Sequence, residues 1–407
     1  MSLNSTPSGE RIHIGIFGKR NAGKSSLINA ITGQSLAIVN EAKGTTTDPV
    51  SKAMEILPLG PVMIIDTPGI DDEGELGKLR IEKAYQVLNK THVALLVVDA
   101  SCGLAEEDKA LWKKIEEKKL PGFIVFNKIE LISEMQQALL TAEAMKLTKS
   151  IAFVSAEKKT NIHELKEKIA ALTPREKENF LVSDLVQAND VVILVTPIDE
   201  SAPKGRMILP QQQVMRDLLD HQAITLLVQP NELMSAINKL AVKPKLVITD
   251  SQAFGFVNKV LPADIPLTSF SILMARYKGN LEDAVKGVKL LTSLKDGDRI
   301  LISEGCTHHR QCNDIGSVKL PGWIRNFTHV EPEFAFTSGG EFPTDLSSYK
   351  LIIHCGACML NEKEMVHRYA SAKAQNIPMT NYGIAIAHMH GILARSVEPL
   401  PEIAKLL

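Results

Sequence analysis

In the first 175 residues, short apolar runs alternate with longer stretches whose apolar side chains recur at helical spacing. This alternation is typical of an α/β domain with a mostly parallel sheet. A further run, Ser51–Leu57, precedes turn residues and predicts a hairpin that adds one antiparallel edge strand. The predicted parallel strands are Ile12–Phe17, Val62–Asp66, Val93–Asp99, Phe123–Asn127 and Ile151–Ser155.

Two further segments repeat the α/β alternation. A charged stretch, Pro174–Glu178, separates them from the first domain and is suited to a linker. We predict domains at 1–175, 176–268 and 269–407, a larger α/β domain followed by two smaller α/β domains. The strands and helices predicted in the second segment are Val191–Val195, Ile224–Val228, Lys245–Thr249, Leu267–Phe270, Gln211–Asp220 and Glu232–Leu240.

One motif predicts phosphate binding. Gly18-Lys19-Arg20-Asn21-Ala22-Gly23-Lys24-Ser25 fits the P-loop pattern G-x-x-x-x-G-K-S/T and lies between a predicted strand and the predicted helix Ser25–Thr32. In such a loop the backbone N–H groups surround the phosphates, Lys24 reaches the β- and γ-phosphates, and Ser25 binds Mg²⁺. The predicted nucleotide contacts in this stretch are Gly18, Asn21, Ala22, Gly23, Lys24, Ser25 and Ser26.

Two of the motifs downstream concern the γ-phosphate. Asp66-Thr67-Pro68-Gly69 ends a strand, so that Asp66 can approach Mg²⁺ through water and the Gly69 N–H can sense the γ-phosphate. Between this motif and the P-loop lies a run of three threonines, in which Thr46 is the predicted switch residue over Mg²⁺ and the γ-phosphate. We therefore assign Lys24, Thr46, Asp66 and Gly69 to phosphate handling and catalysis.

A third motif, Asn127-Lys128-Ile129-Glu130, ends another strand and predicts recognition of guanine. A carboxylate at Glu130 accepts hydrogen bonds from the N1–H and 2-amino groups of guanine, whereas adenine offers neither donor there. The usual pattern has Asp at this position, so the charge is retained on an arm one methylene longer. Ser155 and Ala156 follow the next strand, where a backbone N–H would reach the guanine O6.

Composition narrows the classes of partner. The 407 residues carry 46 Lys+Arg and 47 Asp+Glu, a formal charge of −1, which disfavours a nucleic-acid partner. The stretch Met1–Glu10 is polar and the longest apolar runs are strand-sized, so we expect no export signal and no membrane span. Five cysteines are too few for a disulfide scaffold. We therefore expect a cytoplasmic protein with reduced thiols, in which Cys102 is a packing residue and Cys312 a spare thiol.

The other three cysteines predict a metal site. Cys355 and Cys358 form a C-x-x-C pair, and Cys306 and Cys355 each follow a predicted strand, which would let three thiolates converge. Two chemistries fit this donor set. Zinc would take His308 as a fourth ligand, whereas an iron–sulfur cluster on three cysteines would keep one iron with an exchangeable ligand. His308 and His354 are candidate ligands, or candidate hydrogen-bond donors to sulfur.

Residues 11–175 resemble a Ras-like GTPase domain of the branch that contains the tRNA-modifying and ribosome-assembly GTPases. In that branch an Asn at the position of Asn21 is associated with K⁺-assisted hydrolysis, which makes Asn21 a candidate K⁺ ligand. The branch also places an apolar residue after D-x-x-G, here Ile70, where Ras has a water-positioning Gln. The resemblance implies slow, Mg²⁺-dependent GTP hydrolysis that is stimulated by K⁺.

Behind these motifs, the pattern C-x-H…H-C-x-x-C resembles the family of [FeFe]-hydrogenase maturation GTPases over the whole chain. The resemblance implies a P-loop GTPase domain, a central dimerisation domain and a cluster-binding domain, assembled as a homodimer or a dimer of dimers. It implies a [4Fe–4S] cluster on Cys306, Cys355 and Cys358, with an exchangeable fourth site.

The same resemblance implies a role as a scaffold and carrier. The chain would hold a transient di-iron subcluster precursor, built with radical-SAM maturases, and deliver it to apo-hydrogenase. The alternative reading of the motifs is a zinc-binding GTPase that acts on RNA or the ribosome, which the charge balance disfavours.

Overall fold

A computed structural model describes residues 6–33, 49–70, 74–173, 180–198, 207–305 and 315–407, with the backbone alone at 74–79. The chain divides into two compact units, Met1–Glu176 and Lys177–Leu407. Thr46, the linker Pro174–Glu178, Cys306, His308 and Cys312 lie outside the described residues. Within the described ranges, no helix is both long and apolar enough to span a bilayer.

The first unit is built on one sheet, whose described strands are β1 (Ile12–Phe17), β2 (Val50–Ile56), β3 (Gly60–Asp66), β4 (Val93–Asp99), β5 (Gly122–Asn127) and β6 (Ile151–Phe153). Its described helices are α1 (Lys24–Thr32), α2 (Gly74–Lys90), α3 (Glu106–Glu117), α4 (Glu134–Ala144) and α5 (Ile162–Leu172). The strand order is β2-β3-β1-β4-β5-β6. All pairings are parallel except the β2–β3 hairpin, which confirms the predicted mostly parallel sheet with one antiparallel edge.

The central strands of this sheet are buried on both faces. Alternate residues of β4 join different apolar clusters: Leu95 belongs to the cluster that contains Leu27 of α1, and Leu96 to the cluster that contains Leu111 of α3. Continuous apolar strands are expected where helices cover both faces of a parallel sheet. This packing explains why the sequence of these strands shows unbroken apolar runs.

The second unit contains two parallel sheets. The described strands of the first sheet are β7 (Val191–Val195), β8 (Ile224–Val228), β9 (Leu246–Thr249) and β10 (Leu267–Ser269), in the order β10-β9-β7-β8. Those of the second sheet are β11 (Arg299–Glu304), β12 (Glu333–Ser338), β13 (Leu351–His354) and β14 (Met379–Asn381), in the order β12-β11-β13-β14. The described helices are α6 (Leu209–Asp220), α7 (Leu233–Lys239), α8 (Phe254–Val260), α9 (Phe270–Tyr277), α10 (Leu281–Val288), α11 (Leu320–Thr328), α12 (Glu362–Ala374), α13 (Tyr382–Met389), α14 (Leu393–Val397) and α15 (Pro401–Ala404).

The two sheets of the second unit share an apolar core. One cluster of buried side chains includes Val247 of β9, Phe254 of α8, Ile302 of β11 and Ile353 of β13. The segments predicted as separate second and third domains therefore pack on common apolar side chains. The boundary between those two domains stays a prediction.

A close helix–strand contact in this core predicts an effect on stability. In α10, a Cβ added at Gly287 would overlap the Met379 carbonyl oxygen of β14 and lie 2.9 Å from the carbonyl carbon. Because backbone cannot move aside as a flexible side chain can, Gly287→Ala should destabilise the second unit by about 1–3 kcal/mol. Hydrogen exchange of α10 and β14 at increasing urea would measure this loss.

Gly322→Ala is the matched control. Gly322 also lies inside a helix, α11, and a Cβ there would meet no described atom within 4 Å. Replacing a helical glycine by alanine in open space should be neutral or stabilising by about 0.5–1 kcal/mol. An equal loss of protection in both variants would contradict a specific contact at Gly287.

Candidate functional sites

The P-loop connects the end of β1 to the start of α1. Gly18 has φ +139°, and a Cβ there would overlap the Val97 carbonyl oxygen of β4, so the loop can pass this strand only as glycine. Gly23 has φ +88° and precedes α1, whose first turn receives no side-chain cap. The free N–H groups at the start of a helix make this loop a site for anions.

Lys24 is the first residue of α1, and its side chain reaches back to the P-loop that precedes it. Its buried ammonium donates to the carbonyl oxygens of Gly18 and Lys19, each at 2.8 Å. These bonds hold the ammonium at the loop, where a phosphate would arrive. The predicted contact Ser26 is exposed on α1, and Asn21 is exposed with φ +61°. The roles of Asn21 and Ser26 stay predictions.

Ser25 and Asp66 come together across the parallel β1–β3 pairing. Ser25 Oγ donates to Asp66 Oδ2 at 3.2 Å, and no described group reaches the buried Oδ1 of Asp66. Burial raises the pKa of the Asp66 carboxyl, and the Lys24 charge and the Ser25 hydrogen bond partly oppose that rise. Hydroxyl and carboxylate oxygens with one unused acceptor suit Mg²⁺, a cation that prefers oxygen ligands.

Ile70, after the Asp66–Gly69 motif, points into the core. It is 4% exposed and belongs to the apolar cluster that includes Phe17 and Ile65. A buried apolar side chain has no group with which to orient a water molecule. The described site therefore provides no equivalent of a water-positioning Gln at this position.

Asn127 joins the P-loop to the segment after β6. Its Nδ2 donates to the Ala22 carbonyl oxygen at 3.2 Å, and its Oδ1 accepts from the Ala156 N–H at 3.0 Å. A Cβ at Gly23 would overlap Asn127 Nδ2, so glycine is required where the two segments meet. Ser155 donates its N–H to the Thr160 carbonyl oxygen, so both N–H groups predicted to reach guanine O6 have partners in this structure.

Lys128 and Glu130 belong to the motif that predicts guanine recognition, and their side chains have different surroundings. Lys128 has φ +64°, and its ammonium contacts Asp99 Oδ2 at 2.6 Å. Burial raises the pKa of Asp99, but hydrogen bonds from Lys128 and Ser101 outweigh burial and hold it below its ordinary value. The Glu130 Oε2 atom is buried with no hydrogen-bond partner in the described part of the chain. A buried acceptor without a donor fits the two donors of guanine.

Asp99, which holds the Lys128 ammonium, was not singled out from the sequence, although its place at the end of β4 was a usable signal. Cys102, just beyond it, was predicted to pack in the fold, and this prediction is wrong because Cys102 is exposed. Its N–H donates to the Asp99 carbonyl oxygen in a turn that leaves the strand, which carries the side chain to the surface.

The C-x-x-C loop follows β13 and lies against the end of β11. The Cys355 Sγ accepts from the N–H groups of Gly305, at 3.0 Å, and Ala357, at 3.4 Å. Burial raises the pKa of the Cys355 thiol to about 11, and the two N–H groups partly oppose that rise. Donors aimed at sulfur favour a metal-bound thiolate. Among the described residues, which do not include Cys306, no three or more His, Cys, Asp or Glu side chains are close enough together to hold a metal ion.

His354 is fully buried between the loop and an arginine. Its Nδ1 is 2.9 Å from the Cys355 carbonyl oxygen and its Nε2 is 3.0 Å from the Arg368 guanidinium. Burial, and then the Arg368 charge, lower the pKa of His354 to about 3, so the ring is neutral, donates from Nδ1 and accepts at Nε2. With both ring nitrogens engaged, this geometry argues against His354 as a metal ligand.

Arg368 was not singled out from the sequence. It is 0% exposed, and besides His354 it donates to Glu364, Ser303 and the Gly339 carbonyl oxygen. These partners come from β11, β13, α12 and a loop. Arg368 thereby ties the ends of the two strands that precede Cys306 and Cys355, and only the fold brings its partners together.

Comparisons with known proteins match both units. Residues 13–128 match the family described as 50S ribosome-binding GTPase. The chain is 30% identical over 216 residues to the tRNA modification GTPase MnmE of Acetivibrio thermocellus, covering 52% of this chain and 46% of that protein. It is 32% identical to GTPase Der of Kosmotoga olearia over 39% of this chain and 38% of that protein. The chain thus spans less than half the length of these relatives.

Among solved structures, Era of Aquifex aeolicus bound to GDP and aluminium fluoride is 23% identical, with a TM-score of 0.37 over 53% of this chain and 92% of Era. The fold, the P-loop geometry and the family match over residues 13–128 together define the first unit as a P-loop GTPase domain.

Residues 181–279 match the hydrogen maturase F dimerization domain, and residues 282–399 match the hydrogen maturase F tetramerization domain. The chain therefore belongs to the HydF family of hydrogenase maturases.

The bridge made by Asn127 predicts a loss of nucleotide affinity. Asn127→Ala removes both hydrogen bonds and leaves the Ala22 carbonyl and the Ala156 N–H without their partner. Because each unsatisfied buried group costs about 1–3 kcal/mol, GTP should bind at least about tenfold more weakly. Titration with a fluorescent GTP analogue would measure this. Ser133→Ala, which removes a surface cap of α4, should leave the affinity unchanged, and equal effects would refute the bridge.

Proposed function

We propose that this chain is a GTP-hydrolysing scaffold that binds a [4Fe–4S] cluster and carries a di-iron subcluster precursor to apo-[FeFe]-hydrogenase. The observation that carries the proposal is the pairing of two sites in one chain of this family. One is the nucleotide site, in which a P-loop is accompanied by carboxylate oxygens of Asp66 and Glu130 that have no described hydrogen-bond partner. The other is a C-x-x-C loop whose Cys355 Sγ receives two backbone N–H groups.

In the nucleotide site, Lys24 and the N–H groups at the start of α1 bind the phosphates. Ser25 and Asp66 would hold Mg²⁺, and Thr46 of the predicted switch segment would close over the γ-phosphate. Gly69 senses the γ-phosphate through its N–H. Because Ile70 is buried in the core, hydrolysis depends on the backbone, the switch segment and a K⁺ held by Asn21, and is slow.

At the base, Glu130 accepts from guanine N1–H and the 2-amino group, while Asn127 holds the surrounding segments in place. Lys128, whose ammonium is held by Asp99, belongs to the same motif. The Ala156 N–H donates to Asn127 Oδ1 in this structure. When guanine binds, this N–H either contacts the guanine O6 in addition to Asn127 or donates to the O6 instead. Guanine selectivity then follows from pairing two donors with a carboxylate whose Oε2 is buried without a described partner.

In the second unit, Cys355, Cys358 and Cys306 hold the cluster. Gly305 immediately precedes Cys306, and its N–H donates to the Cys355 sulfur, so the chain reaches Cys306 directly from a contact with the loop. A cluster held by three thiolates would keep one iron with an exchangeable ligand, which would supply a docking point for another molecule. His354 orients the Cys355 peptide through its Nδ1 hydrogen bond and does not ligate iron.

GTP hydrolysis in this scheme gates assembly and performs no metal chemistry. Nucleotide state reorders the switch segment and changes the surface offered to partner proteins. The partners are the radical-SAM maturases and apo-hydrogenase, and the chain acts as a homodimer or dimer of dimers in the cytoplasm, where thiol ligands stay reduced.

Reconstitution and hydrogenase activation test this proposal together. The protein supplied anaerobically with iron and sulfide should develop a broad visible absorption band and activate apo-hydrogenase in the presence of the maturases. Cys355→Ser should lose the band and the activation, and Lys24→Ala should keep the band but lose GTP turnover. Cys102→Ser, the exposed cysteine of the first unit, is the matched control and should behave as wild type.

Two outcomes would overturn the assignment. Full activation by Cys355→Ser would remove the scaffold role of the loop. A colourless protein that retains stoichiometric zinc would favour a zinc-binding GTPase in place of a cluster carrier.

Guanine recognition by Glu130 has its own test. Gln at position 130 offers one acceptor and one donor, so it can pair with xanthine, which presents N1–H and a 2-oxo group, better than with guanine. Glu130→Gln should weaken GTP binding by at least about tenfold and strengthen XTP binding relative to GTP. Competition titrations with both nucleotides measure this shift. Glu134→Gln, at the surface of α4, should change neither affinity, and an unaltered preference in Glu130→Gln would contradict the pairing.

A further inference from the structure

Lys278 lies beside the cysteine loop although it is far away in sequence. It follows Tyr277 at the C-terminal end of α9 and is 2% exposed. It lines a small recess together with Cys355, Gly356 and Asn280. The fold therefore places an ammonium group in the wall of the recess that also contains a predicted cluster ligand.

The Lys278 ammonium forms a hydrogen bond with the backbone of the segment that follows the C-x-x-C pair. Its Nζ donates to the Leu360 carbonyl oxygen at 2.9 Å, two residues after Cys358. The positive charge is therefore held at the backbone just beyond the C-x-x-C pair, in the same recess as Cys355.

Burying an ammonium group costs free energy that a methionine of similar length would not incur. A buried cation is therefore unexpected in a wall needed only for packing. Lys278 also lies in the segment that matches the dimerization domain, whereas the cysteines lie in the segment that matches the tetramerization domain.

We infer that Lys278 completes the cluster site from the neighbouring segment and supplies the positive charge that stabilises the cluster, most strongly in its reduced state. Thiolate ligands give the cluster net negative charge, and reduction adds another negative charge, so a nearby ammonium favours the reduced form. The inference rests on the proposed function, in which Cys355 and Cys358 ligate the cluster.

The test compares the reduction potential of the reconstituted cluster in full-length variants. Lys278→Gln removes the charge but keeps a donor for the Leu360 carbonyl, Lys278→Met removes both, and Lys278→Arg keeps the charge. Lys289→Met is the matched control, because Lys289 is exposed and its Nζ donates to another backbone carbonyl, that of Leu406, at 2.9 Å. Dithionite titration followed by electron paramagnetic resonance gives the potentials, and iron and sulfide analysis gives the occupancy.

With equal iron and sulfide contents, Lys278→Gln and Lys278→Met should shift the potential to more negative values. We expect about a tenfold change in the reduction equilibrium, which is about 59 mV for a one-electron couple. Lys278→Arg and Lys289→Met should keep the wild-type potential. If the neutral variants fold but lose the cluster while Lys278→Arg keeps it, the requirement for charge is equally supported.

Two outcomes overturn the inference. An unchanged potential in a fully loaded Lys278→Gln would show that the charge does not act on the cluster. Loss of the cluster in all three Lys278 variants would show that only the shape of the lysine matters. If wild type itself binds no iron and sulfide, the proposed function fails first, so the two failures are distinguishable.

Discussion

Parallel strands that pair in register end at the same edge of a sheet, and each candidate site is assembled by this alignment. In the first unit, Ile16 of β1 pairs with Asp66 of β3, and Asp99 of β4 pairs with Asn127 of β5. In the second unit, Ser303 of β11 pairs with His354 of β13. A shift of one residue in any of these pairings would turn the polar side chain at the strand end to the opposite face of the sheet, away from its partners.

The alignment brings polar groups to places where water is largely excluded, so each group needs a partner. Asn127 meets this need by bridging two segments, and Arg368 by donating to four partners from different elements. These bridges connect residues that are far apart in sequence, and they hold loops whose positions are not determined by strand pairing alone. The rigidity of each site therefore comes from buried polar side chains placed behind it.

The sequence carries the local part of this design. The apolar runs predicted β1, β4, β7 and β8 with the bounds that the structure has, and the P-loop pattern located the phosphate site. It does not show pairs that only folding creates, such as Arg368 with Ser303 or Lys278 with Leu360, which are 65 and 82 residues apart. The strands β12 and β14 were not predicted: β12, Glu333–Ser338, begins with Glu and ends with Thr and Ser, and β14, Met379–Asn381, has three residues of which two are polar, so neither forms a continuous apolar run.

The two sites differ in the groups that they leave unsatisfied, and this difference indicates which complementary groups each one needs. Beside the P-loop, Asp66 and Glu130 keep buried oxygen acceptors without described partners, which call for a cation and for hydrogen-bond donors. At the cysteine loop the protein supplies donors instead: Gly305 and Ala357 direct N–H groups at a sulfur, and the Lys278 ammonium lies behind the loop. A surplus of donors favours a thiolate-bound group with net negative charge. Zinc held by three thiolates and a histidine carries a charge that does not change with redox state, whereas a cluster becomes more negative when it accepts an electron, so the lysine stabilises a reduced cluster more.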